Sequence, residues 1–266
     1  MTDPQVSVIV TVYNHGQVLP YALDSVLAQT LKNFEVIIVD DHSTDISPSI
    51  IDYYCRYDGR IRTVRNEVNS RRGPIEWEPR NDGLKLVNAP LVAYLDADNC
   101  WDSEFLEELA TALLSNDRWQ LVHCDSRNFY APEEVESVVR ADARSITERG
   151  TNWTIFAHQD LDATKLGSEQ YVDTNEMMHR ATIFRRLGHL WRTTHPRREW
   201  INRQQGKRCP YRRHNDLDLV ERVIECFGID SIGRVPRPLV NFFYPTVSRP
   251  AHSVATMLRS EESFRE

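Results

Sequence analysis

Apolar residues along this chain alternate between two rhythms, short unbroken runs and stripes at helical spacing. Val6–Tyr13 (VSVIVTVY) is a β-branched run, the mark of a strand covered on both faces. After the turn NHG, the segment LPYALDSVLAQT puts Leu19, Leu23, Val26 and Leu27 at helical spacing, with Pro20 tolerated in a first turn. FEVIIVD (Phe34–Asp40) predicts a second buried strand. DHSTDISPSIIDYYCRY supplies cap-type residues and then a helix, and IRTVRN predicts a third, shorter strand. RNDGLKLV predicts a short helix, PLVAYLD a fourth strand, SEFLEELATALLSN an amphipathic helix and WQLVHCD a fifth strand. Strand and helix alternate in this way through about residue 125. That order predicts an α/β fold with a doubly wound, mostly parallel sheet.

Beyond residue 125 the pattern is weaker. Residues 130–170 read as helix and loop, and YVDTNEMMHRATIFRRLG as a strand or loop entering a helix stopped by Gly188. NDLDLVERVIECFG predicts an amphipathic helix with Leu217, Val220, Ile224 and Phe227 inward and Gly228 as its stop. IGRVPRPLVNFFY reads as closing strands. Neither an internal repeat nor a Gly/Ser-rich linker divides the chain.

Composition narrows the function classes. With 266 residues, 41% of them hydrophobic and 27% charged, the chain has the make-up of a globular domain with a large core. A net charge of -7 argues against a general affinity for nucleic acid. No apolar run approaches the roughly 20 residues needed to span a bilayer, and the N-terminus lacks a signal peptide's pattern. The five cysteines form no CxxC pair, so they read as reduced thiols in a cytoplasmic protein.

Candidate chemistry gathers where strands end. In LVAYLDADNCWD (Leu91–Asp102), Asp96 and Asp98 lie two apart, so on extended backbone their carboxylates share a face. Like charges so placed repel unless a cation sits between them, and a hard divalent cation fits. The alternative is a solvated turn in which Asp102 or Ser103 caps the next helix. Two further clusters weigh against it: Tyr13 and Asn14 end the first strand, and Asp40 and Asp41 end the second. Ligands of doubly wound sheets bind outside the carboxyl ends of the strands. No GxGxxG follows the first strand and no GxxxxGK[ST] occurs anywhere, which removes two phosphate-binding classes. What is left is a nucleotide held by side chains together with a metal held by Asp, suited to a diphosphate leaving group.

VSVIVTVYN, SVLAQTLKNFEVIIVDDHSTD, RNDGL and VAYLDADN, in that order and spacing, together resemble the family 2 glycosyltransferases of the GT-A (nucleotide-diphospho-sugar transferase) fold. The resemblance is strong over residues 5–125 and thinner over 170–245. There, EMMHRATIFRRLG and HNDLDLVERV are similar to the family's acceptor-side segments, those of its spore-coat polysaccharide branch included. It implies a single domain over residues 1–250, with a nucleotide-sugar half (1–125), an acceptor half (126–250) and a tail at 251–266. It also implies inverting transfer of a sugar from a UDP- or dTDP-sugar donor to a hydroxyl acceptor (sugar, glycan or lipid-linked glycan), with Mn²⁺ or Mg²⁺ as cofactor, in glycan or polysaccharide biosynthesis. Carried over by position, Thr11 and Tyr13 lie beside the nucleoside, Tyr13 stacking on the base. Asp41 accepts from a uracil-type N–H, and Arg80 faces the diphosphate, with Arg71 or Arg72 as alternates. Asp96 is the ribose-side acid, Asp98 the metal ligand and Asp216 the catalytic base. Asn99 stands where the family has a further acid. Asp40 has two readings, local backbone bonding or a ligand role.

Other residues keep two readings. Trp101 and Trp191 stack on a sugar face or pack in the core. His214 and His252 join a metal shell or sit exposed at helix ends. Asp218 reads as a dispensable neighbour of Asp216, and Cys100 as a small packed residue. Arg185–Arg213 carries ten basic residues against the single acid Glu199, a block that reads as a lid over the diphosphate or a dock for an anionic acceptor or membrane surface. The rival activities are a sugar-phosphate nucleotidyltransferase, which wants a Gly-rich, Arg-containing loop where YNHGQ stands, and a non-catalytic nucleotide-sugar binding module.

Overall fold

The computed structural model describes residues 3–70, 79–129, 146–149, 153–156, 172–187, 191 and 215–243. Their strands form one ten-stranded sheet whose main path runs β3-β2-β1-β4-β9-β6-β10-β5, with β7 and β8 extending it beside β6. The first half is as the alternation predicts. Strands β1 (Val6–Val12), β2 (Phe34–Asp40), β3 (Ile61–Arg65) and β4 (Leu91–Asp96) pair in parallel. They are joined through helices α1 (Leu19–Leu27), α2 (Ser47–Tyr57) and α3 (Pro79–Leu84).

Both faces of these strands are covered, which is why their sequences do not alternate with polar residues. Val6, Val8, Val10 and Val12 face one core layer with α1, α2 and α4 (Phe105–Ser115). Ile9, Ile37, Val39 and Tyr94 face the other, with α5 (Ile183–Leu187) and α6 (Asn215–Phe227). Gly83 lets α3 approach β1 closely: a Cβ there would lie 2.7 Å from Ile9 Cγ2.

The second half departs from the expectation. Strand β9 (Met177–Arg180) inserts antiparallel between β4 and β6 (Leu121–Phe129), and β5 (Asn99–Trp101) pairs antiparallel with β10 (Ile232–Phe243). Strands β7 (Ile146–Arg149) and β8 (Trp153–Phe156) stand where helix and loop were expected. The closing segment is one long strand, parallel to β6. Because β9 runs against β4, its first residues lie beside the carboxyl end of β4. The 3₁₀ turn Thr174–Glu176 that leads into β9 is therefore delivered to the strand-end edge where Asp96 lies.

Two sequence readings are corrected here. Neither Asp102 nor Ser103 caps α4: its N-cap is Glu104, without a side-chain cap bond. Asp102 instead accepts from Asn241 Nδ2 at 2.8 Å, joining β10. Helix α6 is also turned from the expected stripe. Leu217, Leu219, Val220 and Val223 are buried, while Ile224 and Phe227 are only partly so. The turn takes Asp218 inside, where its carboxylate accepts from Arg222 Nε at 2.9 Å, and both residues are buried. Asp218 is thus a structural partner, not a dispensable neighbour.

Candidate active site

The β1–β4 register sets Thr11 beside Asp96. Thr11 Oγ1 donates to Asp96 Oδ1 at 2.7 Å, and Arg80 NH2 donates to the same oxygen at 3.2 Å from the first turn of α3. Asn175 completes the cradle. Its Oδ1 accepts from the Asp96 backbone N–H at 2.6 Å, and its Nδ2 donates to Asp96 Oδ2 at 3.1 Å. Burial alone would raise the Asp96 carboxyl, but Arg80, Thr11 and Asn175 outweigh it and hold the group below the usual carboxylate range. The Arg80 guanidinium lies over the Trp191 ring, 5.5 Å from its centroid. Trp191 is itself clamped, its backbone N–H and C=O both bonded to the Asn81 amide at 2.9 Å.

Asp98 is half-buried and its carboxyl is raised, by burial first and then by the charge of Asp96, with His15 opposing. A divalent cation relieves such like-charge stress. Among the described residues no group of three or more His, Cys, Asp or Glu is arranged to hold a metal by itself. Asp98 beside Asp96 instead fits the kind of Mg²⁺ or Mn²⁺ site that takes one or two carboxylates and completes its shell with substrate phosphates. Asn99 is buried in β5.

At the ends of β1 and β2 the chain turns through left-handed backbone, with Asn14 at φ 54° and His42 at φ 67°, conformations that Asn and His tolerate better than most residues. The two turns interlock: Ser43 Oγ accepts from Asn14 N, and Asn14 Oδ1 accepts from Thr44 N. Tyr13 stands half-buried just before this turn. Asp40 takes the local role, accepting from Ser43 N at 2.8 Å with Arg65 at 3.4 Å. Asp41 is buried and holds the segment after β3. Its carboxylate accepts from Asn66 Nδ2, Asn69 Nδ2, Ser70 N and Ser70 Oγ at 2.7 to 3.1 Å.

A second group of acids forms around the same 3₁₀ turn. Asp173 and Glu176 make a reciprocal capping box, with Glu176 Oε2 accepting from Asp173 N at 2.9 Å. Asp173 Oδ1 also accepts from Asn175 Nδ2 at 2.7 Å. Thr174 Oγ1 donates to Asp216 Oδ1, which ties the first turn of α6 to this turn. Burial, then the charges of Asp216, Glu176 and Asp96, push the Asp173 carboxyl well above its usual range. The structure therefore brings Thr11, Arg80, Asp96 and Asp216 to one edge of the sheet.

Sequence reasoning missed Asp173, Thr174, Asn175, Glu176 and His15. The D-x-x-E spacing of Asp173 and Glu176 signals a capped turn, but only the antiparallel insertion of β9 says where that turn goes. Trp101 is a core residue, stacked on Phe105 at 4.0 Å and buried, so it offers no face to a sugar. Trp191 is buried too, edge-on to Tyr94. Burial and nearby carboxylates push the Cys100 thiol up to about 12, consistent with an inert packed residue. Arg71, Arg72, His214, His252 and most of the basic block lie outside the described residues. Of that block, Arg186 packs over the Phe227 ring at 4.8 Å.

A doubly wound edge with paired strand-end acids, continued by antiparallel strands, is here the GT-A nucleotide-sugar fold, as the family match and the solved structures that superpose on it show. The chain belongs to glycosyl transferase family 2, whose match spans residues 7–188. It is 32% identical over 125 residues to the putative glycosyltransferase EpsH of Bacillus subtilis (strain 168), covering 47% of this chain and 34% of the relative. It is 37% identical over 107 residues to the poly(ribitol-phosphate) beta-N-acetylglucosaminyltransferase TarP of Staphylococcus aureus (strain N315), covering 40% and 32%. The matches thus take in about a third of either relative's length. Among solved structures, S. aureus TarS 1-349 in complex with UDP-GlcNAc superposes with a TM-score of 0.60 at 17% identity, covering 94% of this chain and 61% of that one. The Pyrobaculum calidifontis mannosyltransferase PcManGT, in complex with GDP-Man and Mn²⁺, gives 0.57 at 18% identity, covering 96% and 60%. At such identities these structures speak to the fold alone.

Proposed function

We propose that the protein is an inverting, divalent-metal-dependent glycosyltransferase that moves a sugar from a UDP- or dTDP-sugar to a hydroxyl acceptor in glycan or polysaccharide assembly. One observation carries this reading: Asp96, cradled by Thr11 and Arg80, meets Asp173 and Asp216 at a single sheet edge. One side of that edge suits a nucleoside diphosphate and the other an acceptor hydroxyl. Residues 1–250 act as one domain with 251–266 as a tail, and the likeness to the spore-coat branch belongs to the same reading. The basic block at 185–213 would serve as a lid or as a dock for an anionic acceptor.

In this reading Tyr13 stacks on the base and Asp41 accepts its N–H. Asp96 receives the ribose, and Arg80, steadied by Asp96 and Trp191, faces the diphosphate. Asp98 holds Mn²⁺ or Mg²⁺, which when bound supplies positive charge to the departing diphosphate. Asp216, oriented by the Thr174 hydroxyl, takes the acceptor's proton as its oxygen attacks the anomeric carbon from the face opposite the leaving group.

The test is a thermal-shift series with UDP, dTDP and GDP, with and without Mn²⁺, followed by turnover assays on UDP-sugars. Stabilisation is expected to be largest for UDP or dTDP and to need the metal, because a bound ligand stabilises by mass action. Failure of every nucleoside diphosphate to shift the protein would overturn the reading. Asp41→Ala is expected to narrow the gap between UDP and GDP, since it removes the acceptor this reading assigns to the base's N–H and releases the Asn66–Ser70 segment that the carboxylate holds.

A further inference from the structure

Asn175 is buried, with 1% of its surface exposed, between the donor-side and acceptor-side acids. Its amide has two N–H bonds and uses one on each side: Nδ2 donates to Asp96 Oδ2 at 3.1 Å and to Asp173 Oδ1 at 2.7 Å. Its Oδ1 takes the Asp96 backbone N–H at 2.6 Å, and its backbone C=O accepts from Trp101 Nε1 at 3.0 Å. Its backbone N–H returns to Asp173 Oδ1 at 2.9 Å. Asp96 ends β4, Trp101 lies in β5, and Asp173 opens the turn whose Thr174 holds Asp216. One side chain thus spans the two halves of the site.

We propose that Asn175 is a positioning residue that couples the two halves, fixing the nucleotide-side acid Asp96 and the acceptor-side pair Asp173 and Asp216 in one frame. The inference rests on the transferase reading for what binds at each side. The bridge itself is a property of this chain's own residues. Only a primary amide of this length meets the demand. It must accept one backbone N–H and donate to two carboxylates at once. It also places two N–H dipoles between acids that would otherwise repel. A carboxylate in its place keeps the acceptor and loses both donors, adding a negative charge between the two acids. A leucine of similar shape loses all three bonds and leaves buried polar groups unpaired. The geometry explains how events at the nucleotide can reach the acceptor: a shift of Asp96 pulls the amide, and with it the turn that carries Thr174 and Asp216.

The discriminating variant is Asn175→Asp, read with three measurements against Asp96→Asn and Asp216→Asn. Calorimetry with UDP and Mn²⁺ reports the nucleotide side. Hydrolysis of whichever of UDP-glucose, UDP-galactose and UDP-GlcNAc the wild type turns over fastest reports the acceptor side, with water as acceptor. Carboxyl ¹³C NMR of the ligand-free protein reports Asp96 and Asp173 directly. Asp96→Asn is expected to weaken UDP and Asp216→Asn to lower kcat alone. Asn175→Asp should do both, with kcat falling about 10²-fold, the scale of a misplaced catalytic geometry. Both carboxyl resonances should move together, and Asn175→Gln should recover less than half of the loss because the longer amide cannot keep both bonds. A merely structural asparagine would instead lower the melting temperature while leaving UDP affinity and kcat of the folded protein intact, and that result overturns the proposal. Movement of only one of the two carboxyl signals overturns it as well, whether or not any sugar is transferred. Where the wild type hydrolyses none of the three sugars, the NMR measurement decides the bridge by itself, and failure of every nucleoside diphosphate to bind, not this result, is what would overturn the transferase reading.

Discussion

Asp216 and Asp218 lie two residues apart in the first turn of α6, and their surroundings separate them. Asp216 faces the site through Thr174, whereas Asp218 points inward to Arg222. Asn retains the size and most of the bonding of Asp at position 216 but cannot take a proton. Asp216→Asn is therefore expected to keep its melting temperature and UDP affinity while losing transfer by about 10²–10⁴-fold, the range of general-base contributions. Asp218→Ala should show the reverse. Taking the carboxylate from buried Arg222 costs about 3–5 kcal/mol, the range for breaking a buried pair, so urea unfolding should register the loss. Near-normal transfer by Asp216→Asn would move the base elsewhere. Asp98→Ala belongs with these. The raised carboxyl of Asp98 beside Asp96 marks a site that a cation relieves, so its removal should abolish Mn²⁺- or Mg²⁺-dependent turnover without lowering the melting temperature, since the metal-free fold loses a charge it penalises. Full metal-dependent activity in that variant would end the assignment. The places of Asp98 just past β4 and of Asp216 at the start of α6 were legible from the sequence pattern, but the inward turn of Asp218 was not. An amphipathic pattern with apolar residues on two adjacent faces fits more than one helix rotation, and only the packing of Leu219 and Val223 chooses.

At the scale of elements, β1, β2 and β4 were readable because each is an apolar run long enough to mean only a strand buried on both faces. Strand β9 was not. Met177, Met178 and His179 have no strong strand preference, and the segment is short. Its place depends on both neighbours: it fills the gap between β4 and β6, where Val92 and Leu121 flank His179. The consequence for the site is large, since β9 brings Asn175. It also buries a histidine. His179 Nδ1 faces the Arg180 carbonyl at 2.9 Å and so carries the proton, leaving Nε2 to accept from Tyr94 Oη at 2.8 Å. Burial depresses its pKa to about 4, so the folded protein holds it neutral. The unfolded chain binds a proton near pH 6.5, and the stabilisation is complete above that value. It drains away as pH falls toward 4, where about 3 kcal/mol is lost at roughly 1.4 kcal/mol per pH unit. Carboxylates such as Glu35, held low by hydrogen bonds and Arg62 despite burial, add their own loss in the same direction. The comparison must therefore be with His179→Gln. Between pH 7 and 4.5 that variant should lose less stability than the wild type in urea unfolding, and parallel losses would show that His179 does not titrate in this window.

At the scale of the whole molecule, the sequence suggests a division near residue 125, where the strand-helix alternation ends, and the sheet does not respect it. Strand β9 lies between β4 and β6, and β10 lies between β6 and β5, so later segments separate the earlier strands. One apolar layer mixes Ile9, Ile37 and Tyr94 with Met177, Leu187, Val220 and Val223. A fragment ending at residue 129 would keep the nucleotide-side motifs but leave β4 without a partner on its inner edge. It would also expose the face that α5 and α6 cover. An apolar strand edge so uncovered invites aggregation. The fragment is therefore expected to be insoluble or molten, with ANS binding and no near-UV circular dichroism, and to bind no UDP. The chain containing β9, α6 and β10 should instead unfold in a single transition, which UDP with Mn²⁺ raises as a whole. At a hundred times its Kd a ligand adds about 2.7 kcal/mol, and at about 2–4 °C per kcal/mol for a chain near this size that is roughly 5–10 °C. Calorimetry that resolved two transitions, with UDP moving only the first, would show that the halves fold independently despite their shared sheet. A single shifted transition would tie nucleotide binding to Asp173 and Asp216 through the one core that holds both halves of the edge.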